Sequence, residues 1–334
     1  MSESKYIESA KIPAIVLFAP TASGKTALTR ELFSPKGSHF ILNAEVVSAD
    51  SQAVYRHMDI GTAKPSKEFC KEIPHHLIDI LEPDQQFNVS DFVDAADEVC
   101  KKIIKKGKTP VVCGGTGFYI RNFLYGVPPT PISDEKLRNK LKERIIIEGN
   151  EVLYRELQKI DPESARKIHQ NDSYRICRAL EVYYLCGKTR TSFQLEHKLR
   201  EMYDFLFIVL EPNREQLYKK IAVRVEKMFE SGLEKEIKKL IEAGYSKESP
   251  GLKAIGYSEW FDYENPFDQN NIQKIKEQII HHSCKYAKKQ FTYIRDIEGS
   301  NIIKYDASEE KFRQIISLIK KWKKYVNLLE VMKT

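Results

Sequence analysis

Along the first third of the chain, apolar residues come in short unbroken runs: "AIVLF" (14–18), "FILNAEVVSAD" (40–50), "HHLIDI" (75–80) and "TPVVCGGTG" (109–117). Runs of this length, separated by helical patterns, predict buried parallel strands in βαβ units. The rhythm breaks at "GVPPTPISDEK" (126–136), which carries three prolines. Residues 133–200 then read as charged helix with no strand. A fifth strand is expected in "YDFLFIVLEP" (203–212) and a sixth in "NIIKYDA" (301–307). Residues 211–244 have the period of an amphipathic helix pair, with a break at Ser231–Gly232 and a stop at Gly244. The pattern predicts one α/β core (10–126 and 202–310) interrupted by a helical insertion (127–201), with a basic helix at 311–334.

Composition narrows this picture. The chain has 334 residues, 42% hydrophobic and 30% charged, with room for one large core or two domains. The apolar run Ala14 to Ala19 is too short to cross a bilayer and follows no leader pattern, so a cytoplasmic protein is expected. Six scattered cysteines (70, 100, 113, 177, 186, 284) form no C-x-x-C pair and are expected as reduced thiols. Of the net charge of +7, a surplus of six falls after residue 280, where twelve Lys or Arg face six Asp or Glu. Such a segment is either a solvated helical face or a footprint for a polyanion.

The most specific chemistry is "APTASGKT" (19–26), set between a strand and a helix. It matches the G-x-x-x-x-G-K-[ST] phosphate loop except that Ala19 replaces the first Gly. Backbone N–H groups of Thr21, Ala22, Ser23 and Gly24 would cradle phosphate oxygens, Lys25 would add charge and Thr26 would reach Mg²⁺. Ala19 is tolerable only if its φ is negative. The fold class expected is therefore a P-loop NTPase-like parallel sheet flanked by helices, with an inserted all-helical domain. A triphosphatase also needs a strand ending in a Mg²⁺-holding acid. Asp79 is the candidate, but it reads better as a cap or ion-pair residue. Asp50, after the second strand, falls at the ligand edge of such a sheet. It could be an outer-shell Mg²⁺ ligand, a nucleobase acceptor, a general base or a turn cap. His75 and His76 are adjacent on a strand, point apart and do not read as a metal pair.

Eight stretches in order resemble the tRNA dimethylallyltransferase (tRNA isopentenyltransferase) family of bacterial type: "PTASGKT", "DSQAVYRHMDIGTAKP", "IPHHLID", "VVCGGTGFYI", "YRICRALEVYYLCGKTRT", "LYKKIAVRVEKMFESGLEKEI", "LKAIGYSEW" and "YAKKQFTYIR". They cover most of the chain. The resemblance implies that the loop holds the diphosphate of dimethylallyl diphosphate, with N6 of the adenosine 3′ of the anticodon as acceptor. It implies Asp50 as base, Arg224 and Thr21 at the diphosphate, and Mg²⁺ as cofactor beside Thr26. It places tRNA contacts at Asp50, Ser51, Gln52, Ala53, Thr116, Arg138, Tyr174, Arg175, Ile176, Cys177, Arg178, Lys288, Lys289, Gln290 and Arg295. A flipped adenine would pass through a channel that Gln52, Tyr55 and Phe118 could line, although Tyr55 and Phe118 read better as packing residues. The helical insertion would meet the anticodon stem by phosphate contacts. A cytoplasmic monomer with tRNA as its macromolecular partner is expected.

Departures from the family pattern are Ala19, Ala53, Tyr174 and Lys220, of which Tyr174 bears most on tRNA contact. Rival readings are a P-loop kinase, a prenyltransferase of free adenine nucleotides, and a non-catalytic nucleic-acid-binding module. A kinase lacks its paired-arginine lid here, and a free-nucleotide enzyme could dispense with the insertion.

Overall fold

A computed structural model gives the structure of residues 11–294, 297 and 299–331. Six strands, β1 (Ile12–Phe18), β2 (Ala44–Ser48), β3 (His75–His76), β4 (Thr109–Gly114), β5 (Tyr203–Glu211) and β6 (Asn301–Lys304), form one sheet. Their order is β3-β2-β4-β1-β5-β6, and every pair is parallel. Phe18 lies opposite Gly114, and Ser48 opposite Cys113. The carboxyl ends of β1, β2 and β4 are thus level, and their loops open at one edge, where ligands of open parallel sheets bind.

Strand β3 is shorter than the apolar run predicts. Leu77 (φ 62°) and Asp79 (φ 54°) are left-handed, so the ladder ends after His76. Asp79 instead pairs with the Lys64 ammonium. His76 bonds buried Glu45 at 2.7 Å and His75 the Ile73 carbonyl at 2.6 Å.

Helices α1 (Lys25–Phe33), α2 (Lys67–Glu72), α3 (Val89–Lys105) and α4 (Gly117–Tyr125) follow the first strands. A capping box between Asn88 and Asp91 starts α3, which packs on β1, β2 and β4. Residues 125–199 form a separate compact unit. It contains α5 (Glu135–Glu148), α6 (Asn150–Ile160), α7 (Pro162–Lys167) and α8 (Ser173–Cys186) around Leu141, Leu153, Leu157, Ile176 and Leu180.

The chain then returns through β5 to α9 (Arg214–Glu230), α10 (Leu233–Glu242), α11 (Gln269–Ile294) and α12 (Glu309–Val331). The break between α9 and α10 falls at Ser231–Gly232, with Gly232 at φ 97°, and Gly244 follows α10 at φ 92°. Ile315 and Ile319 of α12 join the core formed by β1, β5, β6 and α1.

Candidate active site

The phosphate loop leaves β1 at Ala19 and enters α1 at Lys25. Ala19 is fully buried and absent from the left-handed region, so the missing glycine costs nothing here. The left-handed positions are Ala22 (φ 58°) and Gly24 (φ 92°), and Gly24 serves as the N-cap of α1. Lys25 curls back so that its ammonium donates to the carbonyls of Ala19 at 2.8 Å and Pro20 at 2.9 Å. Burial pushes its pKa down to about 8; Arg224 pushes the same way, while Cys113 and Asp50 oppose. Ser23 Oγ is buried with no hydrogen-bond partner among the described residues. A buried hydroxyl of this kind waits for an acceptor or donor from outside the chain.

Two distant helices fix this loop. Arg224 of α9 donates to Thr21 Oγ1 at 3.0 Å and to the Thr62 carbonyl at 3.4 Å. Burial lowers the pKa of the guanidinium, opposed by Asp50. Gln290 of α11, only 4% exposed, accepts the Thr21 N–H at 3.1 Å and donates to the Gly115 carbonyl at 2.6 Å. A Cβ at Gly115 would lie 2.6 Å from that amide nitrogen, and one at Gly114 would lie 2.0 Å from the Ala49 carbonyl. The glycines of "VVCGGTG" therefore permit close approach of three loops.

Asp50 follows β2. Its Oδ1 accepts the N–H of Gln52 at 2.9 Å and of Ala53 at 3.4 Å, closing an Asx-type turn. Thr116 Oγ1 accepts the Ser51 N–H at 3.0 Å and lies 3.4 Å from Ser51 Oγ. Thr116 thus holds the turn from below and is not itself a wall of the cavity. Gln52 Oε1 is buried and has no hydrogen-bond partner among the described residues.

These groups meet at a cavity of about 980 Å³. Thr21, Ala22, Ser23, Gly24, Lys25, Thr26, Asp50, Ser51, Gln52, Ala53, Arg224 and Gln290 all line it. Asp50 is the one carboxylate among the lining residues, against Lys25, Lys64, Lys219, Lys220, Arg224, Lys227 and Lys253. Lys64 is neutralised by Asp59 and Asp79, whereas Lys219, Lys220 and Lys227 have no ion pair among the described residues. Val225, Met228, Ala254, Ile255 and Ile279 supply an apolar side.

Sequence reasoning missed Lys219 and Lys227, and passed over Lys220 as a mere departure. The signal was present, because 220, 224 and 227 share one face of a helix. It also missed Tyr286, whose phenol lines the cavity and is pushed up to about 12 by burial, with Asp50 adding to the shift. Glu236 of α10 was missed as well. Its carboxylate accepts the N–H groups of Asp59, Ile60 and Gly61 at 2.8, 2.8 and 3.1 Å and the Tyr257 hydroxyl at 2.6 Å. That grip sets the loop whose Thr62 carbonyl meets Arg224.

Among the expected tRNA contacts the outcome is mixed. Lys288 and Lys289 are exposed, whereas Arg295 lies outside the described residues. In the inserted unit, Tyr174 is 71% exposed and Arg175 pairs with Asp172 at 2.8 Å. α8 turns the side chains of Ile176 and Cys177 into the unit's core, which leaves them no exposed side chain for RNA. Arg178 and Arg138 both reach the buried Glu181, at 2.7 and 3.4 Å. Tyr55 is buried and Phe118 half exposed, and neither lines the cavity.

The fold and this cavity define a P-loop α/β protein built to hold a phosphorylated ligand beside a single carboxylate. Residues 53–297 match the family described as IPP transferase. The tRNA dimethylallyltransferase of Sulfurihydrogenibium sp. (strain YO3AOP1) is 41% identical over 299 residues, covering 88% of this chain and 94% of that protein. That of Geobacter sulfurreducens is 38% identical, covering 91% and 96%. The structure of the tRNA isopentenylpyrophosphate transferase of Bacillus halodurans has a TM-score of 0.67 at 33% identity, covering 96% of this chain and 99% of that one. A eukaryotic dimethylallyltransferase acting on tRNA has a TM-score of 0.72 at 27% identity, covering 87% and 73%. The chain belongs to the IPP transferase family.

Proposed function

We propose that the protein transfers a dimethylallyl group from dimethylallyl diphosphate to N6 of the adenosine immediately 3′ of the anticodon in tRNA, releasing diphosphate. One observation carries this reading beyond family membership: Asp50 is the one carboxylate lining a cavity whose other charged lining residues are lysines and an arginine and which has an apolar side. Cations suit a diphosphate, the apolar side suits a five-carbon chain, and a lone carboxylate suits a proton acceptor.

In this mechanism the diphosphate lies on the phosphate loop. As the N6–C1 bond forms, the C1–O bond breaks and its electron pair leaves with the diphosphate. The N6 proton passes to Asp50, whose Oδ2 accepts no bond among the described residues. Lys25, Arg224 and the loop N–H groups stabilise charge that grows most on the leaving oxygen, so they act chiefly in the transition state. Mg²⁺ fits the donor set. Thr26 Oγ1 has no protein partner among the described residues, and Mg²⁺ takes few protein ligands when phosphate oxygens and water complete its shell. Bound there, the ion would neutralise diphosphate charge.

The inserted unit would bind the anticodon stem-loop through phosphate contacts, with Tyr174 and Arg175 outward. A cytoplasmic monomer is the state we assign; no helix among the described residues is long and apolar enough to cross a membrane. The test incubates the protein with Mg²⁺, radiolabelled dimethylallyl diphosphate and either unmodified tRNA or AMP. Label in tRNA, lost when the target adenosine is replaced by G, is the expected result. Label in AMP alone would move the protein to free nucleotides, and label in neither would overturn the reading.

A further inference from the structure

Helix α12 has two faces of different character. Ile315, Ile319 and Val326 are buried, and Phe312, Ile316, Leu318 and Trp322 pack on the sheet core. On the opposite face Arg313, Lys320 and Lys324 align at helical spacing, flanked by Lys321 and Lys323, and all five are exposed. No acid occurs between Lys311 and Tyr325. Lys311 pairs with Glu310 and Arg313 with Glu309. Lys320, Lys321, Lys323 and Lys324 have no ion pair among the described residues.

This arrangement works against the helix. Lys320–Lys324 is a like-charge i,i+4 pair, and Lys320–Lys323 and Lys321–Lys324 are like-charge i,i+3 pairs, each destabilising in isolation. Favourable interaction with the helix C-terminus is confined to the last turn, beyond these lysines, and does not offset this. A solvated face would be served as well by alternating signs. Four exposed lysines within five residues, with no ion pair among the described residues, would gain from an external polyanion.

We propose that the outer face of α12 binds the phosphate backbone of tRNA outside the anticodon stem-loop. This rests on the tRNA reading above. An anionic membrane is the less suited polyanion, because an interfacial helix inserts its apolar face, and here that face is buried in the core. RNA requires only the charged face. The contact adds affinity without sequence information, since it touches phosphates alone.

The experiment replaces Lys320, Lys321, Lys323 and Lys324 by Gln in the full chain. Relieving the repulsion should leave the melting temperature unchanged or higher, which separates loss of binding from loss of fold. Affinity for full-length unmodified tRNA should fall roughly tenfold or more near physiological salt, and the slope of log K against log salt should shrink by about 2–3. Affinity for an isolated anticodon stem-loop should not change. Equal losses on both RNAs, or an unchanged slope with full-length tRNA, would overturn the proposal. So would wild-type binding to phosphatidylcholine–phosphatidylserine vesicles that is lost in the variant while tRNA binding persists. Failure of the wild type to prenylate tRNA would defeat the underlying reading; prenylation with tRNA binding unchanged in the variant would defeat the α12 surface alone.

Discussion

Arg224 in the core and Arg178 in the inserted unit both belong to motifs that the sequence singles out, yet they differ in what neutralises them. Arg224 rests on neutral oxygens, a threonine hydroxyl and a carbonyl. Arg178 sits 2.7 Å from the carboxylate of Glu181, which is 1% exposed, and donates to the Pro131 carbonyl at 2.7 Å. Asp50 offsets part of the burial cost of Arg224, but with no ion pair among the described residues its charge would remain available to a ligand. A cation already paired with a buried carboxylate has its charge spent on holding two segments together. The contrast predicts a ligand-binding group in one place and a clasp in the other.

The sharpest break of this comparison lies at Asp50, the acid that faces the cations. Asp50→Asn keeps the Oδ1 acceptor that closes the turn and removes the proton acceptor. Turnover should fall by about 10²–10⁴-fold, with tRNA affinity within a few-fold of wild type. Single-turnover transfer and filter binding read the two separately, and a large loss of binding with little loss of rate would assign Asp50 to RNA recognition instead. Arg224→Ala should cost about 10²–10³-fold in kcat/KM for dimethylallyl diphosphate, with a small change in thermal stability, because relief of the burial cost offsets the lost bonds to Thr21 and Thr62. Unchanged kinetics would take Arg224 out of the site.

Arg178→Ala should do the reverse. It leaves Glu181 short of its closest cation, although Arg138 and the Asp134 N–H remain. A stability loss of about 2 kcal/mol is expected, below the range for a fully broken buried pair. The double variant with Glu181→Gln should recover part of it, as thermal or denaturant melts would show. If stability holds while tRNA affinity drops tenfold, Arg178 is an RNA contact and the clasp reading fails.

The same distinction explains what could be read from the chain. The phosphate loop and the Asp50 turn are contiguous motifs beside apolar strands, so local pattern exposed them. Gln290 reaches Thr21 across 269 residues, and Glu236 closes on the loop at Asp59–Gly61 from another helix; neither bond leaves a trace in local periodicity. Ile176 and Cys177 are different. They sit inside "YRICR", which resemblance treats as one RNA-contacting block, but on α8 they face the direction of buried Leu180 while Tyr174 and Arg175 face out. Applying the helical period to that motif sorts core from surface. The strand expected through "HHLIDI" failed because Leu77 and Asp79 adopt left-handed backbone that apolar pattern alone does not encode.

Lys25 sharpens the comparison at its finest scale. Its ammonium hydrogen-bonds only carbonyls among the described residues, and burial holds its pKa at about 8, well below that of an ordinary lysine. A diphosphate on the loop favours the charged form and raises that pKa. Binding near pH 8 therefore takes up roughly half a proton at this residue, and affinity declines as pH rises through 8, where the empty site loses its charge. Below pH 7 the empty site is already protonated and uptake should vanish. Calorimetry with dimethylallyl diphosphate in two buffers of different ionisation enthalpy reads the uptake directly, and the Lys25→Met variant subtracts protons that belong to the ligand itself. If the variant takes up as many protons as wild type at pH 8, Lys25 is fully charged before the ligand arrives and its burial has no bearing on binding.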